Sequence, residues 1–131
     1  MNQKPVFVKL PMGDLVLASA STSRAKLLED AGLGFFQYPV VIDEEAVRAS
    51  SIAASVPVSD IAVMLAEMKA FTAAQQLAIE NRVPPVYVLG CDQILVCDGM
   101  IYSKPNDVAA AKLQLLALAG KTHQLFTAAV L

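Results

Sequence analysis

Long apolar runs are missing from this chain, and so are clusters of positive charge. No stretch approaches the roughly 18 consecutive apolar residues that a membrane-spanning helix needs. Yet 56% of the 131 residues are hydrophobic and the mean hydropathy is +0.53. The apolar residues come in short segments broken by charges. That pattern points to a dense core and leaves room for an exposed apolar face that a partner covers. Ten Lys and Arg against twelve Asp and Glu give a formal net charge of -2 with no basic block. A groove for a nucleic-acid backbone needs clustered cations, so that class is excluded. Cysteine is scarce too. Cys91 and Cys97 lie six residues apart in one apolar run, with the same strand parity. That spacing disfavours a disulfide between them, and metal-ligand spacings are absent. Buried, reduced thiols in a cytoplasmic protein are expected. The single histidine, His123, has no Ser or Cys nucleophile in evident partnership and reads as structural. There is no internal repeat. The first 13 residues carry two prolines and no long apolar core. They read as a loose lead-in to one domain spanning 1–131, not as a signal peptide.

What the chain does have is organised around Leu15 to Leu28, LVLASASTSRAKLL. A short uncharged apolar run feeds three alternate hydroxyls, Ser19, Ser21 and Ser23, and then Arg24 and a helical pattern. A strand entering a Ser-rich turn and a helix start is suited to an anion, because the first helical turn has free N–H groups and partial positive charge. Ser21 or Thr22 can cap that turn. Arg24 falls on one helical face with Leu27, Leu28 and Ala31, the face expected to pack on a sheet. It therefore either reaches forward over the strand end or snorkels at the helix terminus.

Further along, Gly32 and Gly34 end this helix. Phe35 to Tyr38 reads as a second strand closed by Pro39. Val40 to Ser59 reads as a loop with a short helix, holding the acidic trio Asp43-Glu44-Glu45 in the loop. Ser59-Asp60 starts the longest helix, with Ile61, Leu65, Met68 and Thr72 as its apolar stripe beside Met64 and Phe71. Asn81 and Pro84-Pro85 stop it. Val86 to Cys97 is too uniformly apolar to be a half-exposed strand. Asp98-Gly99 is a hairpin signal. Met100 to Tyr102 returns, Asn106-Asp107 caps a helix to Leu118 that stops at Ala119-Gly120, and a strand runs through Thr122 to Leu131. The alternation predicts an α/β domain with a mixed sheet flanked by helices.

Asp92 is the most informative residue. A lone carboxylate in an oily strand is costly unless it is paired or binds a cation. Gly90 nearby lets a ligand or a backbone come close. Lys104 is the nearest cation in the hairpin. A two-residue turn sets it opposite Gln93, on the other face from Asp92, so the two share a site only through a bulge or if the strands end there. Lys69 sits at the edge of the helical stripe, and its expected state is a stem over the core with its head in water. The trio at 43–45 is either a solvated charge run or a source of hard oxygen ligands for magnesium or manganese. Arg24, Lys69 and Lys104, with Glu44, Asp92 and the Ser-rich turn, together fit phosphoanhydride hydrolysis. That reaction needs cations for the phosphates, a metal, and a carboxylate to deprotonate water.

In their order along the chain these segments resemble the Maf nucleotide pyrophosphatases, a family named for septum formation. The resemblance rests on Leu17 to Arg24, Asp43-Glu44, Leu65 to Ala70, Gly90 to Gln93, Ser103 to Pro105, and Gly120 to Gln124 leading to Thr127. It implies hydrolysis of a non-canonical or modified nucleoside triphosphate to monophosphate and pyrophosphate, a house-cleaning activity with a link to division arrest. It implies that Ser19, Ser21, Arg24, Lys69 and Lys104 hold phosphates, that Glu44 and Asp92 bind Mg2+ or Mn2+, and that Asp92 accepts the proton of the attacking water. Ser23 and Gln93 stand at specificity positions. Thr22 replaces a usual Pro, Ser23 replaces a frequent Arg, and Gln93 is similar to the members acting on 7-methylguanosine triphosphate. The family fold is a two-lobed cleft, often in a homodimer. Family chains are longer, so a truncated second lobe is expected. A catalytically weak or inactive nucleotide-binding division regulator is the alternative.

Overall fold

The computed structural model describes residues 14–80 and 86–131. The lead-in at 1–13 and the helix stop at Asn81 and Pro84-Pro85 lie outside the described residues. Among the described residues, five strands and four helices follow in the order β1 (Asp14–Leu17), α1 (Thr22–Asp30), β2 (Phe35–Gln37), α2 (Glu44–Ala53), α3 (Val58–Ile79), β3 (Val86–Cys97), β4 (Met100–Tyr102), α4 (Val108–Leu118) and β5 (Gln124–Val130). The expected α/β alternation and mixed sheet are present.

Strand β3, 12 residues long, organises the sheet. Its first four residues run parallel to β1, which in turn runs parallel to β2 through Leu15↔Phe35 to Leu17↔Gln37. From Gly90 onward β3 pairs antiparallel with β5, Gly90↔Val130 to Val96↔Gln124. Its last residues also pair antiparallel with β4, Leu95↔Tyr102 to Cys97↔Met100. The turn between β3 and β4 has positive φ at both Asp98 and Gly99 (51° and 75°), as a two-residue hairpin of the tighter kind requires.

Helix α3 lies on β3 and β5. Ile61, Ala62, Leu65 and Ala66 form the core with Ile94 and Ala128. The buried face of α3 continues through Lys69, Ala70, Ala73 and Leu77. This corrects the expected stripe, because Met64, Met68 and Phe71 are exposed. The cause is close backbone approach. A Cβ added at Gly90 would collide with the carbonyl oxygen of Ala66 and stand 2.8 Å from the backbone nitrogen of Ala70. At this crossing Ala66 and Ala70, not Met68 and Phe71, face the strand. Gly90 thus accommodates backbone.

Two other expectations change, and a third is met. The acidic trio is not in a loop, since Asp43 is the N-cap of α2, with its Oδ1 accepting from the Ala46 backbone N–H at 3.0 Å, and Glu44 and Glu45 open the helix. In α1 the buried residue is Ala25, whereas Leu27 is 69% exposed. With Arg24 turned toward the strand end, Ala25, one step round the helix, takes the buried position. Helix α4, capped by Asp107 as expected, has no buried residue among the described residues and exposes Val108, Leu113, Leu115 and Leu116. That is the exposed apolar face for which the composition left room.

Candidate active site

The C-terminal end of β1 delivers Ser19, which is buried. Its hydroxyl oxygen accepts from the Ser21 backbone N–H at 3.2 Å and from Arg24 Nη1 at 3.1 Å. Ser21 is the N-cap of α1, its side chain accepting from the Arg24 backbone N–H at 3.2 Å. No acidic residue lies in the first turn of α1, so nothing within the helix offsets its positive end. Arg24 therefore reaches forward over the strand end and does not snorkel away. Gln37, which the sequence reading passed over, fastens the turn from β2, with its Nε2 donating to the Ser19 carbonyl at 2.8 Å. The available signal was a polar residue ending an otherwise aromatic strand, in register with Leu17.

Lys69 is the centre of the charged cluster. It is only 8% exposed, which corrects the expectation of a head in water. Its ammonium donates to Asp92 Oδ1 at 2.9 Å and to the Cys91 carbonyl at 3.4 Å, and it pairs with Glu44 Oε1 at 2.6 Å. Three acceptors match its three protons. Arg48, one turn along α2, places Nη2 3.5 Å from Glu44 Oε2. The result is a chain of alternating charge: Arg48, Glu44, Lys69, Asp92. Asp92 is 2% exposed, and its Oδ2 has no hydrogen-bond partner among the described residues.

These groups border one cavity of about 290 Å³, lined by Ser19, Ser21, Arg24, Glu44, Lys69 and Lys104, with Ala18, Ala20 and Val40. Lys104 reaches it because β4 ends at Tyr102. In the hairpin register it continues opposite Gln93, but the strand has already stopped. Asp92 stands behind Lys69 and touches the cavity through it. Glu44 alone of the acidic trio meets Lys69. Ser23 on α1 and Gln93 on β3 are exposed and outside the cavity lining. Gln93 neighbours Asp92 along the strand and so projects from the opposite face of the sheet. His123 is exposed, just before β5. Cys91 and Cys97 are buried and free; burial pushes the Cys91 thiol above its ordinary value, against the nearby charges of Arg24 and Lys69. A larger cavity of about 610 Å³ lies between Met68, Phe71, Val88 and Val130 and is mainly apolar.

Three cations around one pocket can neutralise a polyphosphate. For a divalent ion the donors would be Glu44 Oε1 and Asp92 Oδ1, both hard oxygens and both in contact with Lys69, while the buried Asp92 Oδ2 has no hydrogen-bond partner among the described residues. Among the described residues no group of three or more His, Cys, Asp or Glu side chains is arranged to hold an ion. Two carboxylates suit magnesium, which keeps waters and takes its other ligands from substrate phosphates. The residues present therefore fit the ion.

A family model described as Maf-like protein matches residues 14–131. The chain is 45% identical over 120 residues to the nucleoside triphosphate pyrophosphatase 1 of Jannaschia sp. (strain CCS1), covering 92% of this chain and 58% of that protein. It is 43% identical over 115 residues to a nucleoside triphosphate pyrophosphatase of Paramagnetospirillum magneticum, covering 88% and 56%. It is 42% identical over 117 residues to a 7-methyl-GTP pyrophosphatase of Brucella abortus, covering 89% and 56%. The chain thus spans a little over half the length of these relatives. Among the described residues no helix is long and apolar enough to cross a membrane.

Proposed function

Because the chain belongs to the Maf family, we propose that it hydrolyses a non-canonical or modified nucleoside triphosphate to the monophosphate and pyrophosphate. The observation that carries this reading is the convergence of Arg24, Lys69 and Lys104 on one cavity, with Glu44 on its wall and Asp92 behind it. Arg24 and the Ser19–Ser21 turn hold one phosphate group against the start of α1, and Lys69 and Lys104 hold the others. A water molecule adds to one phosphorus of the α–β anhydride, and the bond to the bridging oxygen breaks. Asp92 Oδ2, which has no hydrogen-bond partner among the described residues, takes the proton of that water. Glu44 and Asp92 would hold Mg2+ or Mn2+, which supplies charge neutralisation and acidifies bound water.

The 7-methyl-GTP pyrophosphatases among the relatives make 7-methylguanosine triphosphate the first substrate to try. A house-cleaning role in the cytoplasm, a connection to septum formation and a homodimeric assembly belong to the same reading. The experiment is pyrophosphate release from a panel of canonical and modified triphosphates with Mg2+ or Mn2+. Release above that of an Asp92→Asn control is expected. Nucleotide binding in calorimetry without any release would replace this reading with that of a non-hydrolysing regulator.

A further inference from the structure

Lys69 stands where a divalent ion would. Its ammonium touches the two carboxylates of the donor set at once, Glu44 at 2.6 Å and Asp92 at 2.9 Å. It is also the residue that separates Asp92 from the cavity. A buried ammonium at that point balances the buried charge of Asp92 and the partly exposed charge of Glu44. A metal ion and Lys69 therefore compete for the same oxygens. A triphosphate in the cavity offers Lys69 a different anionic partner, one within reach because Lys69 already lines the wall.

We infer that Lys69 is an internal counter-ion that closes the metal position until a phosphate draws it away, so that the divalent ion and the triphosphate bind as a linked pair. The inference rests on the pyrophosphatase reading for the identity of the ligands, and concerns their order. In the phosphate-free protein Lys69 holds both carboxylates and shields Asp92. When phosphate engages the cavity, Lys69 moves onto it, the oxygens of Glu44 and Asp92 are released to the ion, and Asp92 is uncovered toward the substrate. The coupling is reciprocal: each ligand strengthens the other by the same factor. Arg48 adds charge at Glu44 without bridging to Asp92, so it does not close the position.

The test is Mn2+ binding to nucleotide-free protein, followed by electron paramagnetic resonance. Lys69→Gln should bind free Mn2+ roughly tenfold more tightly than wild type, while Arg48→Gln should change it far less. Equal gains in both variants would reduce the effect to general charge and overturn the inference, as would no gain in a folded Lys69→Gln protein. A measurement on the unaltered protein guards against misfolding of the variant. The 15N-detected ammonium signal of Lys69 should persist when Mg2+ is added alone and shift when Mg2+ is added with inorganic tripolyphosphate. A shift with Mg2+ alone overturns the inference. Hydrolysis is assayed separately. Turnover with unlinked metal binding would remove the latch and leave the proposed function, whereas linked binding without turnover would do the reverse.

Discussion

Asp92 bears an electrostatic burden that only its neighbour relieves. With 2% of its surface exposed and one oxygen on the Lys69 ammonium, it depends on that single partner. Removing one member of a buried pair costs about 3–5 kcal/mol, because the other charge is left uncompensated. Lys69→Ala should therefore lower unfolding free energy by about that amount in urea denaturation. Asp92→Asn keeps an acceptor for Lys69 and should stay folded, yet lose hydrolysis by about 10²–10⁴, the usual worth of a general base. If Asp92→Asn retains most of the turnover, another group takes the proton. The cysteines offer a pH reading. The Cys91 thiol is raised by burial, so folding favours its protonated form. That contribution is complete below the ordinary thiol value, about 8.5, and is lost as pH rises through the higher folded value. Stability should decline on the alkaline side, and a Cys91→Ala variant should flatten that decline. Asp92 was legible from sequence because a charge interrupts an oily strand. Lys69 was legible only as a candidate, because its burial depends on where α3 seats.

That seating belongs to the level of elements. Helix α3 approaches β3 through Ala62, Ala66, Ala70 and Ala73, and a reading based on large apolar residues weighs alanine too lightly to find this face. The strands, the hairpin, the caps at Ser21 and Asp107 and the stop at Gly120 were legible because each follows from local backbone chemistry. The orientation of α1 and α3 was not, because it follows from what each helix meets. Gly90 marks the junction. At Leu89 the parallel pairing with β1 ends, and at Gly90 the antiparallel pairing with β5 begins, directly beneath the backbone of α3. Gly90→Ala should force helix and strand apart and cost about 1–3 kcal/mol, the usual range for overpacking. Chemical denaturation measures it. Full stability in Gly90→Ala would mean that the close approach is not tight in solution.

At the scale of the whole molecule, the cavity exists only when distant parts of the chain meet. Ser19 and Arg24 come from the first strand and helix, Glu44 from the second helix, Lys69 from the third and Lys104 from beyond the hairpin. The motifs were visible one by one in the sequence; their convergence depends on the sheet order that sets β1 beside β3. An unfolded chain scatters these groups, so a polyanion that bridges them binds the native state alone. Such a ligand at 100 times its Kd adds about 2.7 kcal/mol to stability. Inorganic tripolyphosphate should therefore raise the melting temperature by several degrees, whereas orthophosphate, which offers one phosphate group to three cations, should do much less. Arg24→Ala should remove most of the gain, since it takes the cation from the serine turn without touching the buried pair. Salt sharpens the distinction. The Debye length falls from about 10 Å at 0.1 M to about 3 Å at 1 M, which weakens the contributions of Lys104, exposed, and Arg24, half-buried, more than that of buried Lys69. The tripolyphosphate shift should shrink at 1 M salt without vanishing. An equal shift with orthophosphate, or none with tripolyphosphate, would mean that the three cations do not act on one ligand.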